Sequence, residues 1–415
     1  MQAGKFKEVR AYKDNEKWSN LIKRYGDLYI RKDDIRSEFL RDYNRILHCT
    51  AYRRLKHKTQ VFFAAGHDHI CTRIEHVNHV AAVSYTISKF LGLNTELTNA
   101  IAIGHDLGHT PFGHEGEQVI KKIMKRDLNK NFWHEKNSLK FVDEIEILSD
   151  PNGKEKNLNL TYAVRDGIVS HCGEVNENAI FPRNEYLNLE GIERPNEYEP
   201  YTWEGCVVKI SDKISYLGRD IEDALTLNIL SQKQIDELLE IVRKVCIVSK
   251  NESIESINNT VLINNFTIDL CKSSSPQGGI CFSSKYLELI NSIKEFNYKY
   301  IYNHKRLKYF KNYAKLIIES IYDFLSGFYS NNLYEIFNKL ELNLNEYPCL
   351  INSFRDWLVK YSFDNGSLKR SDKYKNNIIY RLSNKNDYLM AVIDYITGMT
   401  DNFAIKMFEE LIKFE

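Results

Sequence analysis

The first sustained helical rhythm in the chain runs from Thr72 to Leu91. Val80, Val83, Ile87, Phe90 and Leu91 recur at near-helical spacing before Gly92 ends the run. His76 precedes Val80 by four positions and Val83 by seven, so it sits on the apolar face of that helix. A second helix is predicted over 95–107, with Leu97, Ala100, Ile101 and Gly104 on one side. His105 and Asp106 fall at its C-terminal end, just before Gly108 and Pro111 break it. Upstream, 36–56 reads as one helix with a basic face of Arg41, Arg45, Arg53 and Arg54, solvated by default. Thr59–Phe63 reads as a short extended piece or turn. Further helices are predicted over 115–127, 134–148, 161–171 and 202–230, with a polar loop over 149–160. Residues 182–202 carry three prolines and form a long excursion. Beyond 230 the pattern stays helical, with loops near 272–281 and 364–377. Strand-like alternation is scarce, so the expected fold class is all-α. The expected organisation is an N-terminal arm (1–35), a catalytic core (36–230) and a C-terminal helical region (231–415).

Composition adds bounds. At 415 residues the chain exceeds one compact core, which calls for an appended lobe or a second domain. A formal net charge of +1 supplies no global field for nucleic acid, so any attraction for anions must be local. The eight cysteines include no CxxC pair, which argues against a zinc ribbon or redox motif and for free buried thiols. The N-terminus lacks the apolar run of a signal peptide, and no apolar stretch is long enough to span a bilayer. The expected location is cytoplasmic, with no membrane partner.

The chemistry is concentrated in the first half, where eleven of the twelve histidines lie between His48 and His171. His76, the adjacent pair His105 and Asp106, and the distant Asp212 make a set of two imidazoles and two carboxylates. That mixture suits a divalent cation that keeps positions open for water and phosphate oxygen. Mn²⁺ and Mg²⁺ fit, with Fe²⁺ as a third candidate. Nothing in the sequence fixes the direction of His67, His69 and His79, and His171 is read as core or rim packing, with pocket lining as the alternative.

Three stretches together resemble a known family. They are Arg73-x-Glu75-His76; His105-Asp106-Leu107-Gly108-His109-x-Pro111-Phe112-Gly113-His114-x-Gly116-Glu117; and Asp212-Lys213-x-x-Tyr216-x-x-Arg219-Asp220. With Arg53-Arg54-Leu55-x-His57-Lys58-Thr59-Gln60-Val61-Phe62, they look like the HD-domain deoxynucleoside triphosphate triphosphohydrolases, over roughly residues 35–230. The resemblance implies a helical HD-domain core with an additional C-terminal helical lobe. It implies cleavage of a dNTP to deoxynucleoside and inorganic triphosphate, by attack at the α-phosphorus, in control of dNTP pools. It also implies a homo-oligomer (tetramer or hexamer) and leaves room for a nucleotide or single-stranded DNA effector.

Each motif residue then has an expected role. His114 and Glu117, one helical turn apart, would form an oriented imidazole–carboxylate pair that handles a proton. His109 and His134 stand where the family binds phosphate. Arg73 and Lys213, each near a metal-binding residue, would neutralise phosphate oxygens. Asp212, Tyr216 and Asp220 recur every four residues on one stripe. Tyr216 would pack against the deoxyribose, and Asp220 would accept from the 3′-hydroxyl with Gln60 as second partner. The alternatives are an HD phosphodiesterase or nucleotidase acting on another phosphoester, and a nucleotide-binding regulator with a vestigial site.

Overall fold

The computed structural model describes residues 3–63, 69–171, 179–245, 259–362 and 370–414. The first half contains α1 (Trp18–Leu21), α2 (Glu38–His48), α3 (Thr50–Arg54), α4 (Arg73–Leu91), α5 (Thr95–Gly104) and α6 (Gly113–Leu128). These are followed by α7 (His134–Lys140), α8 (Tyr162–Ser170) and the 24-residue α9 (Trp203–Thr226). The fold is all-helical, as expected. Local sequence sets the starts: Thr72 and Glu75 form a capping box on α4, Asn94 caps α5 and Thr202 caps α9. The apolar faces of α4, α5 and α9 pack on one another, with α2 and α8 against α5. His76 points inward with Val77 and Val80, as the periodicity required.

Three expectations differ from the structure here. The single helix over 36–56 is broken at Cys49, whose extended backbone (φ −71°, ψ 158°) ends α2 and starts α3. Its basic face is not solvated either. Arg41 is buried, the Arg45 Nε donates to the Leu158 carbonyl at 2.6 Å, and Arg54 pairs with Glu146 at 2.8 Å. Only Arg53 of that face is exposed. The helix expected over 134–148 stops at Lys140 and passes through a π turn (Phe141–Ile145). It then enters β1 (Ile147–Ser149), paired antiparallel with β2 (Glu155–Asn157). The polar stretch between them is a hairpin because Asp150 accepts from the amides of Asn152 and Lys154.

A second small ladder joins β3 (Ala179–Ile180) to β4 (Ile280–Cys281). The remaining helices are α10 (Gln232–Val245), α11 (Asn259–Ser273), α12 (Ser284–Asn297), α13 (Lys305–Ser326), α14 (Leu333–Leu342), α15 (Pro348–Tyr361), α16 (Lys385–Thr397) and α17 (Asp401–Ile412). They embrace the core from two sides. Residues from α10–α12 share an apolar cluster with α4 and α9, while α13–α17 share another with α2 and α5–α8. The N-terminal segment lies along the core: Phe6 is fully buried, and Glu204 accepts from the amides of Ala11 and Asn94. Cys49, Cys71, Cys206 and Cys271 are buried free thiols, but Cys281 is half-buried and Cys349 exposed, against the expectation for all eight. Cys172, Cys246, His67 and residues 364–369 lie outside the described residues. Among the described residues, no helix is long and apolar enough to cross a membrane.

Glu146 ties the hairpin to the helical core. The Thr50 amide and hydroxyl donate to its Oε2 at 2.7 and 2.8 Å, and Arg54 donates to Oε1 at 2.8 Å. Burial opposes its charge, yet Arg54 and the Thr50 bonds hold its pKa below the usual glutamate value. A depressed folded-state pKa stabilises above the unfolded value and is lost as pH falls through the folded one. Glu146→Ala is therefore expected to cost about 3 kcal/mol in urea unfolding near neutral pH. The gap from the wild type should narrow in acid.

Candidate active site

Three elements deliver the histidines and aspartates of the central cluster. His76 comes from the first turn of α4, His105 and Asp106 from the end of α5, and Asp212 from the middle of α9. His76 Nε2 lies 2.9 Å from Asp212 Oδ1 and 3.8 Å from Asp106 Oδ2. His105 Nε2 lies 3.4 Å from Asp106 Oδ1 and 3.8 Å from Asp212 Oδ1. The four side chains therefore share one centre. Burial alone would raise Asp106, but His105, His109 and Arg73 hold it well below the usual carboxylate range. Asp212 is likewise opposed by burial, and its hydrogen bond to His76 brings it down to about 2. Both carboxylates are thus ionised at neutral pH, as cation binding needs.

His105 supplies the test of fit. It caps α5, and its Nδ1–H donates to the Ala102 carbonyl at 2.6 Å. That bond leaves an Nε2 lone pair, buried and without a hydrogen-bond partner among the described residues. An imidazole oriented through one nitrogen with the other bare beside two carboxylates is a ready metal ligand. His76, His105 and Asp212 offer ligand atoms within 4.8 Å of one another. The cluster can therefore hold a divalent cation.

Next to it lies a cationic wall. Arg73 Nη1 is 2.8 Å from Asp106 Oδ2 and 2.9 Å from His109 Nε2. The His109 ring stacks on His134, with centroids 3.9 Å apart and planes at 22°. The two rings differ in charge. Burial and Arg73 push His109 well below its ordinary value. Burial also opposes His134, but Glu135 and Glu117, 3.4 and 3.2 Å from its Nδ1, raise it to about 9. At neutral pH the stacked pair carries its proton on His134. Here the His114–Glu117 pairing expected from their spacing is corrected. Glu117 is buried and holds His134 and Lys121, whereas His114 is exposed on the first turn of α6 beside Gln118.

Farther along α9, Asp220 is buried. Its Oδ2 accepts from the Tyr302 hydroxyl at 2.5 Å, and its Oδ1 has no partner among the described residues. Burial pushes Asp220 up to about 7. Tyr216 is half-buried one turn before it, and Lys213 is buried. Gln60 is half-buried: its carbonyl accepts from Arg73 at 3.4 Å, while its side-chain oxygen is buried without a partner among the described residues.

Similarity to known proteins bears on this geometry. The HD domain family model matches residues 73–217, which span the whole cluster. A deoxyguanosinetriphosphate triphosphohydrolase-like protein of Caldanaerobacter subterraneus subsp. tengcongensis is 31% identical over 380 residues, covering 92% of this chain and 86% of its own length. Proteins of the same description from Clostridium tetani and Pelagibacter ubique are each 30% identical. The first covers 92% of this chain and 87% of its own length, the second 94% and 98%. The chain belongs to the deoxyguanosinetriphosphate triphosphohydrolase-like family. Together with the HD domain, membership supports a metal-dependent phosphohydrolase.

For a member of this family, two site residues escaped the sequence reading. His171 caps α8 as His105 caps α5, with its Nδ1–H on the Ile168 carbonyl at 2.6 Å. Its ring lies 4.8 Å from that of His105, and burial brings it down to about 4. The shared signal was a histidine directly after an apolar helix end. Tyr302 gave no signal, because its partner lies 82 positions away. Gly108 shows how closely the site is built. Its amide donates to Ser138 Oγ at 2.9 Å and its carbonyl accepts from Asn137 at 2.7 Å. A Cβ there would lie 2.1 Å from the Ser138 amide nitrogen. Gly108→Ala is therefore expected to separate α7 from the His105–Asp106 turn. The expected cost is at least about 3 kcal/mol, read by urea unfolding. Wild-type stability would show that the two backbones part freely.

Proposed function

We propose that this protein cleaves deoxynucleoside triphosphates to deoxynucleoside and inorganic triphosphate. The observation that carries the reading is the polarity of the site along α9. Beside Asp106 lies a cationic group of Arg73 and charged His134, with the buried Lys213 next to Asp212 in the chain; two turns beyond Asp212 on α9 stands the buried Asp220–Tyr302 pair. A ligand with several phosphates at one end and a hydroxyl-bearing sugar at the other matches both ends. A simple phosphomonoester would leave most of the cationic group unused.

A divalent cation held by His76, His105, Asp106 and Asp212 would supply Lewis acidity toward the α-phosphoryl oxygen and lower the pKa of water. Mn²⁺, Mg²⁺ and Fe²⁺ all suit that donor set. In the reaction a water oxygen bonds to the α-phosphorus, the bond from phosphorus to the 5′-oxygen breaks, and that oxygen leaves with a proton. Arg73 and His134 neutralise phosphate oxygens, with His109 stacked beneath His134. Glu117 and Glu135 keep His134 charged. Lys213 neutralises a further oxygen. His114, exposed at the start of α6, is the residue assigned to move the proton. Tyr216 packs against the sugar and leaves no room for a 2′-hydroxyl. Asp220 and the Gln60 side-chain oxygen accept from the 3′-hydroxyl.

The deciding assay incubates the protein with Mn²⁺ or Mg²⁺ and each dNTP, and separates products by chromatography. Deoxynucleoside and intact triphosphate are expected; stepwise loss of single phosphates would refute the reading. Pairs of dNTPs in the same assay test for activation by a second nucleotide. Asp106→Ala is expected to lose bound metal and turnover together, read by elemental analysis beside the assay. A third expectation concerns pH. His134 is protonated below its raised pKa, so KM for dNTP should climb as pH passes about 9, and His134→Gln should lack that rise. A flat KM across that range would remove His134 from phosphate binding.

A further inference from the structure

Phe112 is the least relaxed residue of the site. It adopts a left-handed backbone (φ 62°) without being glycine, directly before Gly113 (φ 56°). Such a conformation costs on the order of 1 kcal/mol and persists only where the surroundings hold it. What holds it comes from the other end of the chain. The Phe112 amide donates to Asp401 Oδ1 at 2.8 Å, and Asp401 is the first residue of α17. The other oxygen of Asp401 accepts from the Thr59 amide at 2.8 Å and the Thr59 hydroxyl at 2.6 Å. All three donors are buried with it.

Thr59 passes this restraint to the site. Its carbonyl accepts from Arg73 Nε at 3.3 Å, and the neighbouring Gln60 carbonyl from Arg73 Nη2 at 3.4 Å. Lys58 completes the joint: its buried Nζ donates to the carbonyls of His109 and of Thr397 at the end of α16. The strap 58–60, the loop 109–113 and the C-terminal helices are therefore one hydrogen-bonded unit. Its two outputs, the Arg73 guanidinium and the backbone of His109, both face the phosphate end.

We propose that Asp401 is a positioning residue for catalysis, fixing through Thr59 and Phe112 where Arg73 and His109 meet the substrate's phosphates. The proposal rests on the phosphate assignment above. It gives α17, at the far end of the chain, a role in the chemistry of the site.

The test compares Asp401→Asn, Thr59→Val and Thr59→Ser with the wild type, using Glu146→Gln as a remote destabilised control. Loss of folded molecules lowers kcat and leaves KM alone. Misplaced phosphate contacts raise KM. We expect Asp401→Asn and Thr59→Val to keep wild-type metal content while kcat/KM falls about 10- to 100-fold, largely through KM. Inorganic tripolyphosphate, titrated by calorimetry, should bind them correspondingly more weakly. Thr59→Ser keeps the hydroxyl and should stay within about 2-fold of the wild type, and Glu146→Gln should keep KM. If Asp401→Asn does not fold, the two Thr59 variants decide. Unchanged KM and tripolyphosphate affinity in the folded variants would overturn the proposal, as would failure of the wild type to bind tripolyphosphate. A wild type that binds tripolyphosphate but releases none from dNTPs would refute the substrate reading. Weakened binding in the variants would then still support the clamp.

Discussion

Two carboxylates, Asp106 and Asp212, stay ionised in a buried centre, and the arrangement around them follows from that constraint. Removing a carboxylate from water costs several kcal/mol unless opposite charge and hydrogen bonds replace the solvent. Here the replacement comes from three elements at once. Arg73 and His76 project from the start of α4, His105 from the end of α5, and His109 from the loop beyond. No single helix could supply them all, because residues one turn apart point the same way and adjacent ones do not. The site therefore requires α4, α5 and α9 to be packed before it exists. Its chemistry and the central core are parts of one folding problem.

The histidines at helix ends show how a helix terminus orients an imidazole. His105 and His171 each spend one ring nitrogen on the carbonyl three residues back, a group left unpaired at any helix terminus. The bond satisfies the carbonyl, fixes the tautomer and presents the other nitrogen inward. His171 sits behind His105 at 4.8 Å and, held near pKa 4, stays neutral there. A protonated imidazole at that place would repel a cation in the cluster. A neutral one does not.

What could be read in advance follows local periodicity. The inward turn of His76 and the stripe from Asp212 to Asp220 were legible because helix geometry fixes direction within a few residues. The meeting of His105 and Asp106 with Asp212 came from the joint motif, not from either helix alone. The break at Cys49 was not legible, since Cys49 carries none of the usual stop residues and departs only in its backbone. The buried Arg41 and the half-buried Arg45 and Arg54 were misread for the same reason. A basic helix face looks solvated until its partners, the carbonyl of Leu158 and the carboxylate of Glu146, are brought from about a hundred positions away. Tyr302 and Asp401 belong to this class of residue, whose role is set by tertiary contact.

The allegiance of Glu117 illustrates how energetics overrides spacing. On sequence grounds it faces His114 one turn earlier, and an exposed pair of that kind is worth a few tenths of a kcal/mol. The arrival of α7 offers a stronger alternative, because His134 is largely buried and stacked on His109, where a protonated ring has little water to solvate it. Charge interactions strengthen as the surrounding dielectric falls, so the same carboxylate gains more from the buried imidazole than from the solvated one. Glu117 accordingly pairs with His134, and Lys121 takes its other oxygen. His134 is thereby kept cationic beside Arg73 and Asp106. His114 is left exposed at the start of α6, beside Gln118. A single buried carboxylate thereby fixes the charge of His134 and leaves the ring at the start of α6 to the solvent.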